Sequence, residues 1–138
     1  IDALKKYMQE QQAYLNVDLK QSEVAVAIGY PTYLLSAIFT HYLKMGYYDF
    51  VNSYRVEQFK QSVSEGKHKK YTLVTLAEKC GFKSKASFFR AFKKFTGTTP
   101  NEYIQQFDKE WPILHITGGI THLWYRFILL IIKRIKHK

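Results

Sequence analysis

Apolar residues recur at three- and four-residue spacing through most of the first 108 residues, the period of helices buried along one side. Residues 21–28 place Val24, Ala25 and Ile28 together, Gly29 marks a turn, and residues 32–43 continue with Leu34, Leu35, Ile38, Phe39 and Tyr42 toward a core. Tyr33, Ser36, Ala37 and Thr40 fall on the opposite face. Mixed spacing of Phe50, Val51, Tyr54, Phe59 and Val63 predicts a long helix over about residues 48–65, closed by Gly66 and the basic loop Lys67-His68-Lys69-Lys70. Residues 76–94 then read as a helix, a turn at Gly81 and a second helix beginning at about Ser84. On that second helix Phe88, Ala91, Phe92 and Phe95 share one face, while Ala86, Arg90 and Lys93 share the other. Thr99-Pro100-Asn101-Glu102 marks a further helix start, with Thr99 as N-cap, Pro100 at the first helical position and Glu102 reaching back. That helix should end near Asp108.

The pattern therefore predicts an all-α chain of about seven helices: two helix-turn-helix units, at about 19–43 and 72–95, joined by a linker helix. The turn at Gly81 is the restrictive element. Glycine can adopt a left-handed backbone without a Cβ clash, which lets it end one helix and redirect the chain. A second helix with an apolar back and a basic front is the layout that enters a DNA major groove, although a basic amphipathic face is also ordinary solvated surface. Charge distribution favours the first reading. Residues 1–66 hold six Lys/Arg against seven Asp/Glu, and residues 67–138 hold fifteen against four, so a net −1 in the first half stands beside +11 in the second. Clustered cations are what release of condensed counterions from phosphates requires.

The run from Gly81 to Tyr103 carries Gly-Phe, a Phe four residues before Phe-Lys, and then Gly-x-x-Pro-x-x-Tyr, all in register. With Tyr14-Leu15-Asn16, Leu19, Leu35-Ser36 and Tyr48-Asp49-Phe50-Val51-Asn52-Ser53-Tyr54-Arg55, it resembles the DNA-binding domain of AraC/XylS-family transcription regulators over about residues 7–107. The Tyr-Asp-Phe-Val-Asn version looks like regulators of Bacteroidetes-type bacteria, where the domain is the output end of a larger sensor. The resemblance implies sequence-specific binding of double-stranded DNA, with recognition helices in successive major-groove segments about one turn, ~34 Å, apart.

By position, the resemblance assigns base reading in the second unit to Lys85, Ala86 and Arg90, with Lys83, Ser84, Ser87, Lys93 and Lys94 beside them as phosphate contacts. Arg90 suits a bidentate bond to guanine, its alternative being a solvated or ion-paired arginine. Thr72 matches a helix start that either holds a phosphate or serves as a plain N-cap. In the first unit Thr32, Tyr33, Ser36, Ala37 and Thr40 occupy the DNA-facing positions. Ala37 stands where many relatives carry a polar or basic residue, which implies fewer or more apolar contacts there. Phe89 replaces a usually polar residue and either packs on a sugar or extends the core. Implied partners are the promoter or operator duplex, a sensor or dimerisation region elsewhere in a longer protein, and RNA polymerase. The implied location is the bacterial cytoplasm, where the domain could serve as output of a membrane-bound sensor.

One cysteine, Cys80, excludes an internal disulfide and reads as a small buried hydrophobe. The histidines show no metal-ligand spacing, and no nucleophile-base arrangement or phosphate-cradling glycine loop stands out, so neither an enzyme nor a cofactor is expected. The chain starts at Ile1 rather than methionine, which suggests a fragment. Residues 111–138 form an apolar stretch ending in Lys133-Arg134-Ile135-Lys136-His137-Lys138. Length alone would allow a membrane span, which Arg126 in the interior disfavours, and three readings compete: a helix packing onto the domain or a partner, an interfacial or membrane-contacting segment, and a non-native or poorly structured extension. The alternative function, a membrane-associated or protein-interaction module, would use this tail and the basic face.

Overall fold

The computed structural model describes residues 1–110, which form seven α-helices and no strand. The chain divides into two units, residues 1–102, which hold both helix-turn-helix motifs, and residues 103–138. The apolar and basic tail, with the readings made of it, lies outside the described residues.

Helix α1 (Asp2–Gln11) was not foreseen, although Leu4 and Met8, one turn apart, are both fully buried. A left-handed residue, Gln12, ends it and leads into a single 3₁₀ turn, Ala13–Leu15. Helix α2 (Gln21–Ile28) starts where the Glu23 carboxylate accepts the Lys20 backbone N–H at 2.9 Å. Helix α3 (Thr32–Ala37) continues as a π-helical segment, Ile38–Leu43, and the two-part helix crosses α2 at 109°. That angle lies in the range of a helix-turn-helix.

The π segment corrects one expectation. Its wider turn rotates later side chains away from the positions a 3.6-residue period assigns. Leu35 and Phe39 reach the core, but Tyr42 is 73% exposed and Leu34 lies at the edge of the buried stripe, 40% exposed.

Helix α4 (Tyr47–Ser64) is the linker, and its apolar residues surround it because it serves two cores. Its first turns send Tyr47, Phe50 and Val51 into a cluster with Leu4, Met8, Tyr14, Val24, Leu35 and Phe39. The Tyr47 hydroxyl donates to the Leu19 carbonyl at 2.9 Å, so this buried phenol is paired. The later turns carry Phe59, whose ring lies 4.8 Å from Phe88 and 5.5 Å from Phe92, centre to centre. These three phenylalanines are fully buried, each contributing roughly 1.5–3 kcal/mol by removal from water.

Helices α5 (Leu73–Lys79) and α6 (Lys85–Thr96) complete the second motif, and α7 (Pro100–Glu110) follows. The Thr99 and Glu102 capping box forms as the spacing predicts: Thr99 N–H donates to Glu102 Oε2 at 3.1 Å and Glu102 N–H to Thr99 Oγ1 at 3.2 Å. Phe95 departs from its expected place. At 36% exposure it sits outside the core formed by Phe88 and Phe92, lining a groove of about 390 Å³ with Leu43, Met45, Phe50 and Tyr54.

Arg55, on α4, ties the segment after α1 to the linker helix. It is 7% exposed; its Nε donates to the Tyr14 carbonyl at 2.7 Å and Nη2 to the Asn16 carbonyl at 2.8 Å, while Nη1 reaches Asn52 Oδ1 at 3.3 Å. Burial pulls its pKa below the usual arginine value, with the nearby Tyr47 opposing. Gly81 packs directly against this arrangement. With φ at 98°, a Cβ there would overlap the Tyr14 carbonyl oxygen and stand 2.9 Å from Arg55 Nε.

Gly81→Ala should therefore cost more than the roughly 1–2 kcal/mol of a left-handed L-residue. Arg55→Met should cost about 2–5 kcal/mol, because one buried and one partly buried carbonyl lose their donors. Urea unfolding of each variant measures both. A pH dependence follows from the buried acids. Burial pushes the Cys80 thiol from an ordinary 9.0 up to about 11, with a Ser62 hydrogen bond and Lys67 opposing, and burial likewise raises the Tyr47 phenol. The folded state thus keeps protons that the unfolded chain releases, so stability is full below about pH 9 and falls as pH rises toward 11. Cys80→Ala should flatten part of that decline in urea midpoints measured across this range.

Candidate nucleic-acid interface

Helix α6 begins at Ser84, whose Oγ accepts the Ser87 backbone N–H at 3.1 Å, while the Ser87 hydroxyl donates to the Ser84 carbonyl at 2.9 Å. Both serines are thus engaged in the cap. From this fixed start the helical period presents Ala86, Arg90 and Lys93 to solvent, with Phe88 and Phe92 fully buried behind them. The expected outward row is present. Arg90 forms no ion pair among the described residues.

Phe89 takes the second of its alternatives and extends the core. Its ring meets Phe88 edge-on at 5.7 Å, extending the core, and with Arg90, Lys93, Lys94 and Thr99 it lines a groove of about 400 Å³. Lys85 Nζ stands 5.3 Å from the Phe89 ring centre, a cation–π contact that holds a positive charge at the helix start.

Two lysines expected as phosphate contacts are engaged within the chain. Lys94 Nζ lies 2.7 Å from Asp49 Oδ2 on α4, and Lys83 Nζ lies 3.3 Å from Asp18 Oδ1. Both pairs are largely exposed, and such pairs contribute about 0–1 kcal/mol, so an approaching phosphate can compete for either lysine. Asp18 and Asp49 were not anticipated. They lie 65 and 45 residues from their partners, beyond any local signal.

In the first motif Thr32, Tyr33, Ser36 and Thr40 are exposed, and Ala37 is half-buried at the edge of the face. Tyr33 projects furthest, at 71% exposure. Gln21 Nε2 donates to Ser36 Oγ at 2.8 Å, and the Thr40 hydroxyl donates to the Ser36 carbonyl at 3.0 Å. This face is neutral and partly self-bonded. Thr72 is the N-cap of α5, accepting the Thr75 N–H at 3.2 Å and donating to the Thr75 hydroxyl at 2.8 Å.

Residues 24–106 match a family model described as a helix-turn-helix domain. Over 90 residues, 65% of this chain, the sequence is 36% identical to an uncharacterised HTH-type transcriptional regulator of Staphylococcus aureus (strain COL). Over 89 residues, 64% of the chain, it is 33% identical to the uncharacterised HTH-type transcriptional regulator YtdP of Bacillus subtilis (strain 168). The aligned stretch makes up only 12% and 11% of those proteins. The fold is also similar to the structure of a protein of unknown function from Listeria innocua. The TM-score is 0.59 and the identity 27%, over 72% of this chain and 89% of that one.

Removing the α6 cap with Ser84→Ala should cost about 1 kcal/mol of stability, while Ser84→Asp, which can accept the same N–H, should retain most of it. Denaturant midpoints of the two variants measure the difference.

Proposed function

The chain belongs to the AraC-type helix-turn-helix family, and from that premise we propose that it binds double-stranded DNA sequence-specifically to regulate transcription. One observation carries this reading: Ala86, Arg90 and Lys93 stand in an exposed row on a helix braced from behind by Phe88 and Phe92. A helix presented in this way fits a major groove, and its projecting cations meet base edges and phosphates.

The side chains divide by chemistry. The Arg90 guanidinium offers two parallel donors that match guanine O6 and N7. Lys93 supplies a point charge suited to a phosphate. Ala86 and Phe89 present apolar surface to a thymine methyl or a sugar. Lys83 and Lys94 add charge when a phosphate draws them from Asp18 and Asp49. The first motif contributes a second, uncharged reading face through Thr32, Tyr33, Ser36, Ala37 and Thr40, so most of the electrostatic attraction resides in the second. The linker helix holds the two motifs for successive major-groove segments, and the regulated genes are those of a bacterium, read in its cytoplasm.

Selection of a preferred duplex from random DNA, followed by gel-shift titration at fixed salt, tests the reading. Arg90→Ala should lose about 1–3 kcal/mol of discrimination at one base pair. Lys93→Ala should weaken all duplexes alike and reduce the slope of log affinity against log salt by about 0.9. If both variants merely scale affinity, base reading does not reside at Arg90.

A further inference from the structure

At the start of the second motif, two lysines meet one tyrosine ring, with a third beside them in the chain. Lys79 Nζ lies 4.9 Å from the Tyr71 ring centre and Lys70 Nζ lies 5.5 Å from the same centre, with Lys69 beside them in the loop before α5. Lys67, in that loop, is neutralised by Glu65 at 2.9 Å. Lys69, Lys70 and Lys79 form no ion pair among the described residues.

Two ammonium groups sharing one aromatic ring repel each other, and the ring quadrupole offsets only part of that repulsion. An anion seated beside both ammonium groups would relieve that repulsion. The position of the cluster indicates which. Helical side chains lean toward the N-terminus, so Lys79, at the end of α5, reaches back along that helix to Tyr71 at its start. The cluster lies along one side of α5, and in a helix-turn-helix the first helix crosses the nucleic-acid backbone while the second enters the groove.

We propose that Lys69, Lys70 and Lys79, ordered by Tyr71, form a second phosphate-binding surface that grips the duplex backbone beyond the base-reading segment. The inference rests on the DNA-binding reading above and lengthens its footprint. It assigns the patch affinity without specificity, because phosphates carry no base identity.

The test compares the 138-residue chain with its Lys70→Ala/Lys79→Ala double variant on two duplexes. One is the selected site with long flanks, and the other is trimmed from each end in turn to the outermost base pair whose identity affects binding. Affinity is followed against salt by fluorescence anisotropy, and circular dichroism checks that the variant is folded. On the long duplex the double variant should lose about 1.8 from the salt slope, about 0.9 for each contact, with base preference unchanged. Trimming one particular end should reduce the wild-type slope to that of the variant. Equal slopes for wild type and variant on the long duplex would overturn the proposal and leave the patch to an acidic protein surface. A slope difference that survives trimming at both ends would overturn it too, by placing the contacts inside the reading segment. Base discrimination lost in Arg90→Ala reports on the parent reading independently, so the failure of either claim is recognised separately. Wild-type chain that binds no duplex would overturn both.

Discussion

A single buried guanidinium fastens the segment after α1 to the linker helix, beside the turn of the second motif. Arg55 has no carboxylate partner in its hydrogen-bond set; it is satisfied instead by the backbone carbonyls of Tyr14 and Asn16 and by the side chain of Asn52. Its guanidinium also lies 6.0 Å from the Phe82 ring, in the turn of the second motif. A charge taken from water at that cost is retained only where its donors are well used, and here they fasten the segment after α1 to the linker helix. Gly81 follows from this arrangement. With Tyr14 and Arg55 fixed, the second motif's turn passes so close that no side chain fits at that position.

This bracing explains how a small domain can hold its two helix-turn-helix motifs at a defined separation. The linker helix has no polar side of the usual kind because each half of it belongs to a different core: Tyr47, Phe50 and Val51 to one, Val56, Phe59 and Val63 to the other. The exposed faces of the two motifs then diverge in chemistry. The α6 face offers mobile cations on a phenylalanine base, while the α3 face offers a tyrosine, a tethered serine and an alanine. Positive charge is therefore concentrated on the second motif, while the exposed face of the first is uncharged.

Much of this was legible in the sequence, wherever the determining signal was local. The Gly81 turn, the Thr99 and Glu102 capping box and the burial of Phe88 and Phe92 each follow from a few adjacent residues. The resemblance to AraC/XylS regulators agrees with the matched helix-turn-helix family. Misjudged features depended on departures from ideal geometry or on distant partners. Tyr42 was assigned to the core because the π segment, which turns it outward, leaves no mark in a 3.6-residue pattern. Phe95 has the right spacing for the core but lies one turn too far along α6. The pairing of Lys83 with Asp18 and of Lys94 with Asp49 joins residues remote in the chain, which no spacing rule reaches. Helix α1 had a readable signal in Leu4 and Met8, but it was too short to stand out.

The central claim is that one rigid body presents both helices to a duplex together. Hydroxyl-radical footprinting of the chain on its selected site tests it most directly. Two protected backbone segments on one face of the duplex, about one helical turn or ~34 Å apart, are the predicted result. Protection confined to a single groove segment, at concentrations that saturate the site, would contradict the account.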